Sequence, residues 1–378
     1  MTIDLAFNDT QRLIQSTASD FFRRTCPTPV VRELAESEPG FSMDMWREMA
    51  GLGWHGITFP EAYDGSGGSF LDLYPLYEEM GRFIVPGPHL ETVGLAGHLI
   101  EAYASDSLKS ELLPAVSLGT ALVSLALSEP NGEQGHRAVE LAAAPSGGGG
   151  YTLNGTKLLV PYAAAADWLL VPARTGAGTS GSDGISLLLV STKSRGLALS
   201  RMRTISGLPL FAADFAAVEV PQDRIVGAVD AAWPGIAACL TRGAVLVSAM
   251  IVGAAERVLE MTVNYAKDRV QFGQPIGRYQ AVQNMVTDIL LETHLAKLLT
   301  RQAAWRLDAG LPYEREAAIA KASASRGSRR LMVRAHDVHA GVGFMLHHDL
   351  QLFSRRADYW ESYLGDVRFQ SDAIFATR

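Results

Sequence analysis

The 378-residue chain has two cysteines, Cys26 and Cys239. They lie far apart and outside any metal-ligand spacing, which argues against both a disulfide framework and a thiolate zinc site. Charge is also sparse: Asp, Glu, Lys and Arg make up 19% of the chain and the formal net charge is -7, a balance that disfavours nonspecific nucleic-acid binding. No uninterrupted apolar run reaches the ~18 residues of a membrane span, and the opening MTIDLAFNDTQRLI lacks the basic-then-apolar pattern of a signal segment, so a reducing cytoplasm is expected. Also missing is a strand, glycine-rich turn and helix in sequence with an accompanying lysine or acid, which disfavours a Rossmann domain. His136, His336, His339, His347 and His348 lack helical spacing with carboxylates, so no metal site is expected. No internal repeat is visible, which argues against a solenoid.

At 48% hydrophobic residues, the chain is long and apolar enough to bury a sizeable core in two or three lobes. Its most informative stretch is residues 264–284, NYAKDRVQFGQPIGRYQAVQN. It ends an amphipathic helix in which Val245, Ala249, Val252, Ala255, Leu259, Val263 and Ala266 share one face. Phe272, Gly273, Gln274 and Pro275 break the pattern, because proline lacks the helix donor and glycine supplies a turn. A helix restarts over residues 277–283, so Arg269, Phe272 and Gln280 flank one corner. Arginine matches phosphate oxygens with a two-donor fork, and a phenyl ring can wall an adenine, so the corner suits a large anionic cofactor. An arginine near the last carbonyls of a helix also fits a plain C-terminus.

The rest of the chain reads as helical, then β, then helical, with expected domains at 1–120, 121–230 and 231–378. Asn8 and Ser42 are expected helix caps, and Trp46 and Trp54 are expected core. A further helix is expected over residues 74–83. Strand-length runs occur at 121–128, 151–160, 166–174, 184–191 and 215–221, with Asn154 and Gly155 expected to form a hairpin turn. The glycine- and serine-rich stretches 144–151 and 175–184 are expected loops.

The segment YAKDRVQFGQPIGRYQAVQ closely resembles the RxQFGxPI segment of acyl-CoA dehydrogenases. LGWHGITFPEAYDGSGG, EEMGR, the Leu127-Ser128-Glu129-Pro130 run and HAGVGFMLHHDLQLFSRRA are similar to further passages of that family, the last to a bacterial branch of steroid side-chain breakdown. The likeness spans nearly the whole chain. It implies an α+β fold with an N-terminal helical domain, a middle antiparallel β-barrel or sandwich, and a C-terminal four-helix bundle. It also implies bound FAD, an acyl-CoA substrate, a homo- or heterotetramer of related chains, and an electron-transfer flavoprotein as acceptor. By resemblance, Arg269, Phe272, Gly273 and Gln280 hold the adenosine-pyrophosphate of an FAD seated mainly in a neighbouring subunit. Ser128 meets the flavin edge, and Gly341 lies where backbone approaches the cofactor. Four departures stand out: Asp64 begins the family's glycine pair, Leu159 replaces a frequent aromatic, Asp337 replaces a glutamine serving the pyrophosphate, and Ala340 replaces a glycine.

The family's reaction needs a carboxylate that removes the proton α to the thioester while a hydride leaves the β carbon. The two positions where members place it correspond to Leu364 and Gly243, neither of which accepts a proton. Asp366 is then the candidate displaced base, with Glu361 one helical turn away. Two readings follow: an enzyme using Asp366, or a non-catalytic partner subunit that lends Arg269 and Phe272 to another chain's FAD.

Overall fold

The computed structural model describes residues 5–176 and 181–376. The N-terminal part is helical: α1 (Asp9–Thr25), α2 (Thr28–Glu36), α3 (Met43–Gly51), α4 (Phe70–Arg82), a π-helical segment (Leu90–Gly97) continued by α5 (His98–Tyr103), and α6 (Asp106–Ser117). Strands follow: β1 (Val123–Leu125), β2 (Ala142–Pro145), β3 (Tyr151–Pro161), β4 (Trp168–Arg174), β5 (Ile185–Ser191), β6 (Leu197–Met202), β7 (Leu210–Val220) and β8 (Ile225–Val226). Helix α7 (Trp233–Asp268) leads to a small hairpin, β9 (Val270–Gln271) and β10 (Gln274–Pro275). Helices α8 (Gln280–Asp308), α9 (Glu314–His339), α10 (Leu350–Ser362) and α11 (Val367–Ala376) complete the chain.

The chain divides into two compact units. The first holds residues 1–32, 69–85 and 244–378. Its α1 starts at a reciprocal cap, in which Asn8 Oδ1 accepts from Gln11 N at 2.8 Å and Gln11 Oε1 accepts from Asn8 N at 3.1 Å. Helices α4 and α7 touch backbone to backbone, since a Cβ on Gly81 would lie 1.9 Å from Met250 O and one on Gly253 would lie 1.7 Å from Glu78 O. That approach brings the fully buried Glu78 against Lys297 Nζ at 3.1 Å and Arg301 Nη2 at 3.4 Å. Helix α7 is long and apolar enough to cross a membrane by composition, but 67% of its most apolar window is buried in protein.

The second unit holds residues 33–68 and 86–243. Its sheet runs β6-β7-β3-β2-β4-β5-β8, with β1 added parallel to β4 and β2 also parallel to β4, so the mainly antiparallel arrangement contains two parallel pairings. Trp46 and Trp54 are buried here as expected, and the Trp46 indole donates to Gly119 O at 3.0 Å. Asp64 adopts φ +58°, a left-handed conformation that aspartate tolerates better than most residues, which explains how it replaces a glycine.

Several expectations are corrected. Asn154 and Gly155 do not turn a hairpin. They lie inside β3 at a register shift opposite β7, where Asn154 Oδ1 accepts from Ala217 N at 2.9 Å. The Asn-Gly pair accommodates a bulge, because Gly155 at φ +138° takes a backbone angle closed to other residues. The expected loop at 144–151 is largely the turn between β2 and β3, while residues 177–180 of the other expected loop lie outside the described residues. Helix α4 starts at Phe70 and tolerates Pro75. Strands β2 and β6 are too short or too polar to stand out in the sequence.

Candidate functional site

The candidate residues fall into pieces described within their own units. In the first unit, α7 stops at Asp268 and the chain makes a two-residue hairpin, with Gln271 paired to Gln274 and Val270 to Pro275. Phe272 and Gly273 form its tip at φ +50° and +81°, the doubly left-handed geometry of a type I′ turn. Glycine suits its place, but phenylalanine at positive φ is strained by roughly 1–3 kcal/mol. Its ring is nevertheless 92% exposed, beside Tyr279 at 6.3 Å edge-on. The Tyr279 hydroxyl braces the tip by donating to Gln271 O at 3.1 Å. Arg269 closes the helix with its N–H on Tyr265 O at 2.9 Å, and its carbonyl accepts from Ile276 N at 2.8 Å. Its guanidinium is exposed and has no ion-pair partner among the described residues. Gln280 opens α8, also exposed, where helix N–H groups favour an anion. The corner therefore displays a free cation, a bare ring and a helix start, a set suited to an anionic dinucleotide.

The end of α9 is tied to this corner. The Tyr265 and His339 rings stack at 4.5 Å, bringing residues 337–341 next to the last turn of α7. Burial lowers the His339 pKa, so the stacked ring is neutral at pH 7. Asp337 does not stand alone: Arg334 Nη1 lies 3.7 Å from its Oδ2 while Arg334 Nε also bonds Asp288 at 3.1 Å. A carboxylate in place of a glutamine would repel a nearby phosphate, and the neighbouring guanidinium partly offsets that charge. Ala340 sits at φ 51°, ψ -143°, close to a region reserved in practice for glycine, and Gly341 is exposed with open space where a Cβ would be.

Neither family base position carries a carboxylate here. Gly243 lies inside α7, and Leu364 forms a reversal between α10 and α11 at φ +58°, followed by Gly365 at φ +102°. Asp366, the displaced candidate, caps α11, its Oδ1 accepting from Phe369 N at 2.8 Å. Glu361 pairs with Arg329 at 3.7 Å. A residue not singled out in the sequence stands beneath this reversal. Lys321 is fully buried, and its Nζ lies 3.0 Å from each of Ser325 Oγ, Glu361 O and Gly365 O. Burial pulls its pKa down to about 7 against the opposing pull of Glu361 and Asp366. Its signal was a lone lysine in an alanine-rich helix face, AAIAKASAS.

In the second unit, the strand exit at Ser128 is joined to β3, since Leu158 N donates to Ser128 O at 2.8 Å. At that point β3 bulges, and Leu159 takes φ +54° with its side chain 44% exposed. A partly exposed Ser128, just past β1, thus lies beside an outward apolar residue of β3, a small platform for a flat ring with a polar edge. Beneath it lies a buried ion pair missed in the sequence: Lys157 Nζ to Glu129 Oε1 at 2.6 Å, with the carboxylate also accepting from Glu140 N at 3.0 Å and Leu141 N at 3.1 Å. The two thiols are inert by burial, each pushed up to about 12. No group of metal-ligating side chains occurs among the described residues.

Family models described as acyl-CoA dehydrogenase N-terminal, middle and C-terminal domains match residues 8–120, 124–217 and 233–376. Among curated relatives, the probable acyl-CoA dehydrogenase YngJ of Bacillus subtilis is 30% identical over 368 residues, covering 95% of each chain. Among solved structures, butyryl-CoA dehydrogenase from Megasphaera elsdenii superposes with a TM-score of 0.91 at 26% identity, covering 99% of each chain. The ChsE4-ChsE5 complex from Mycobacterium tuberculosis superposes at 0.90 and 27% identity, covering 99% of this chain and 98% of that one.

Proposed function

This chain belongs to the acyl-CoA dehydrogenase family, and from that premise we propose that it is a subunit of an FAD-dependent enzyme introducing an α,β double bond into an acyl-CoA thioester, in a complex whose proton-abstracting carboxylate comes from a second, related chain. FAD is the cofactor of the family, and the chemistry it supplies when bound is acceptance of a hydride equivalent. In this reading Arg269 would pair with the pyrophosphate of an FAD seated mainly in the neighbouring chain, Phe272 would wall its adenine, and the Gln280 end of α8 would add helix N–H groups. Separately, Ser128 would offer a hydroxyl to the edge of a flavin seated in this chain, and Leu159 would offer it an apolar face in place of a stacking aromatic.

The observation that carries the two-chain reading is the absence of a base: leucine and glycine fill both family positions, and the nearest acid, Asp366, is engaged as a helix cap. Support also comes from Phe272, a strained residue left almost wholly exposed, which is unfavourable unless another surface covers it. A relative solved as a complex of two named chains fits the same arrangement. We place the complex in the cytoplasm with an electron-transfer flavoprotein as acceptor, and take the acyl group to be steroid-like from the branch its C-terminal passage resembles.

The test is expression with and without a homologous chain. The chain alone is expected to lack acyl-CoA-dependent reduction of a dye, and the pair to be yellow and active. In that pair Arg269→Ala should weaken flavin retention by tenfold or more, because a phosphate loses its charged partner. Turnover by the isolated chain that Asp366→Asn abolishes would overturn the reading in favour of a self-sufficient enzyme with Asp366 as base.

A further inference from the structure

We propose that Lys321 is a positioning residue: its buried ammonium holds the α10–α11 reversal in the form that presents residue 364, so that this position stays competent to carry a base although leucine now fills it. The inference rests on the two-chain reading above and asks what became of the vacated position.

Three observations support it. First, Lys321 reaches two parts of the joint at once. Its three N–H donors meet three acceptors: Ser325 on its own helix, Glu361 O in the last turn of α10, and Gly365 O in the reversal. Second, the joint is gripped from the other side, where Gln370 Nε2 of α11 donates to Leu364 O at 2.9 Å. A side chain at 365 would have to displace that same nitrogen, since a Cβ there would lie 2.5 Å from it and 2.7 Å from the Phe369 ring, and the φ of +102° favours glycine. Third, the backbone so held is a costly one. Leu364 at φ +58° is strained, and such a residue persists only where its surroundings over-determine it.

A simple helix joint needs none of this, because Asp366 alone caps α11. Burying an ammonium is expensive, and replacing such a group with a well-packed apolar side chain is often neutral or stabilising. The arrangement is therefore directed at the orientation of residue 364.

The experiment uses the full chain assembled with its related partner and an acyl-CoA that the wild-type complex oxidises. Flavin bleaching is followed in single turnover. Leu364→Glu is expected to add a bleaching phase, raising the amplitude per complex up to about twofold, together with exchange of the substrate α-proton in D2O. In the Leu364→Glu background, Lys321→Met should slow that added phase and the exchange by tenfold or more, with Lys321→Arg intermediate. A lysine that merely fastened two helices would lower assembly and the original phase along with the new one. A full added phase in Lys321→Met/Leu364→Glu overturns the proposal, as does no added phase in a well-folded Leu364→Glu complex. Amide exchange in Lys321→Met gives a readout without turnover: residues 363–366 should exchange at least tenfold faster, and unchanged protection overturns the proposal. A wild-type complex that oxidises no acyl-CoA is a different failure, that of the two-chain reading itself.

Discussion

Replacing Ala340 with glycine should stabilise the protein, an unusual direction for a residue ending a helix. The residue closes α9 at φ 51°, ψ -143°, with its N–H still donating to His336 O. In that region the methyl group meets the backbone, and residues held there are strained by about 1–3 kcal/mol. Glycine removes the strain and keeps the hydrogen bond. Against this, glycine gives the unfolded chain more freedom, costing about 0.4–1 kcal/mol. The expected net gain is about 1–2 kcal/mol, since Ala340 is exposed and gives up little packing. In a chain of 378 residues that corresponds to a rise in Tm of roughly 1–3 °C, measurable by calorimetry or by dye-monitored melting. A matched Ala340→Val should move the other way, because β-branching worsens the clash. An unchanged or lowered Tm for Ala340→Gly would refute the reasoning, showing that the helix end relaxes around alanine. The same variant should tighten flavin binding in the assembled complex if the backbone of this turn approaches the cofactor.

Acid should destabilise the second unit through His55 and His89, which burial holds down at about 2 and about 4. Because both folded-state values lie below the unfolded 6.5, their contribution is intact above pH 6.5 and is lost as pH falls towards 4, on the order of 2–3 kcal/mol per group. His55→Phe should flatten that acid arm in urea titrations at pH 4–7, and an unchanged arm would sink the assignment. Gly253→Ala should cost 3 kcal/mol or more or prevent folding, since its Cβ would meet Glu78 O at 1.7 Å; a wild-type melting curve would show that α4 and α7 are not in backbone contact. Neither thiol should react with a disulfide reagent in the native state, and both should react after denaturation. Rapid native labelling would contradict their burial.

Much of the fold was legible in the sequence because local rules and tertiary packing agree there. The Asn8 and Ser42 caps, the buried face of α7 and the break at Phe272 each follow from one residue's chemistry in its immediate neighbourhood. The wording of residues 264–284 likewise carried the family. Reading failed where a partner distant in the chain decides the outcome. Asn154 and Gly155 read as a hairpin, yet β7 pairs across them and turns the same flexibility into a bulge. Lys157 and Glu129 are ordinary charges until the sheet buries them together 2.6 Å apart. Asp366 was the candidate base, and its part as the cap of α11 shows only once that helix is seen to begin beside it. The sequence by itself determined what each residue is able to do: accept a proton, grip a phosphate, bend the backbone. Tertiary structure alone decided which of those capacities are already in use, because a hydrogen bond or a buried charge depends on distances that hundreds of intervening residues set.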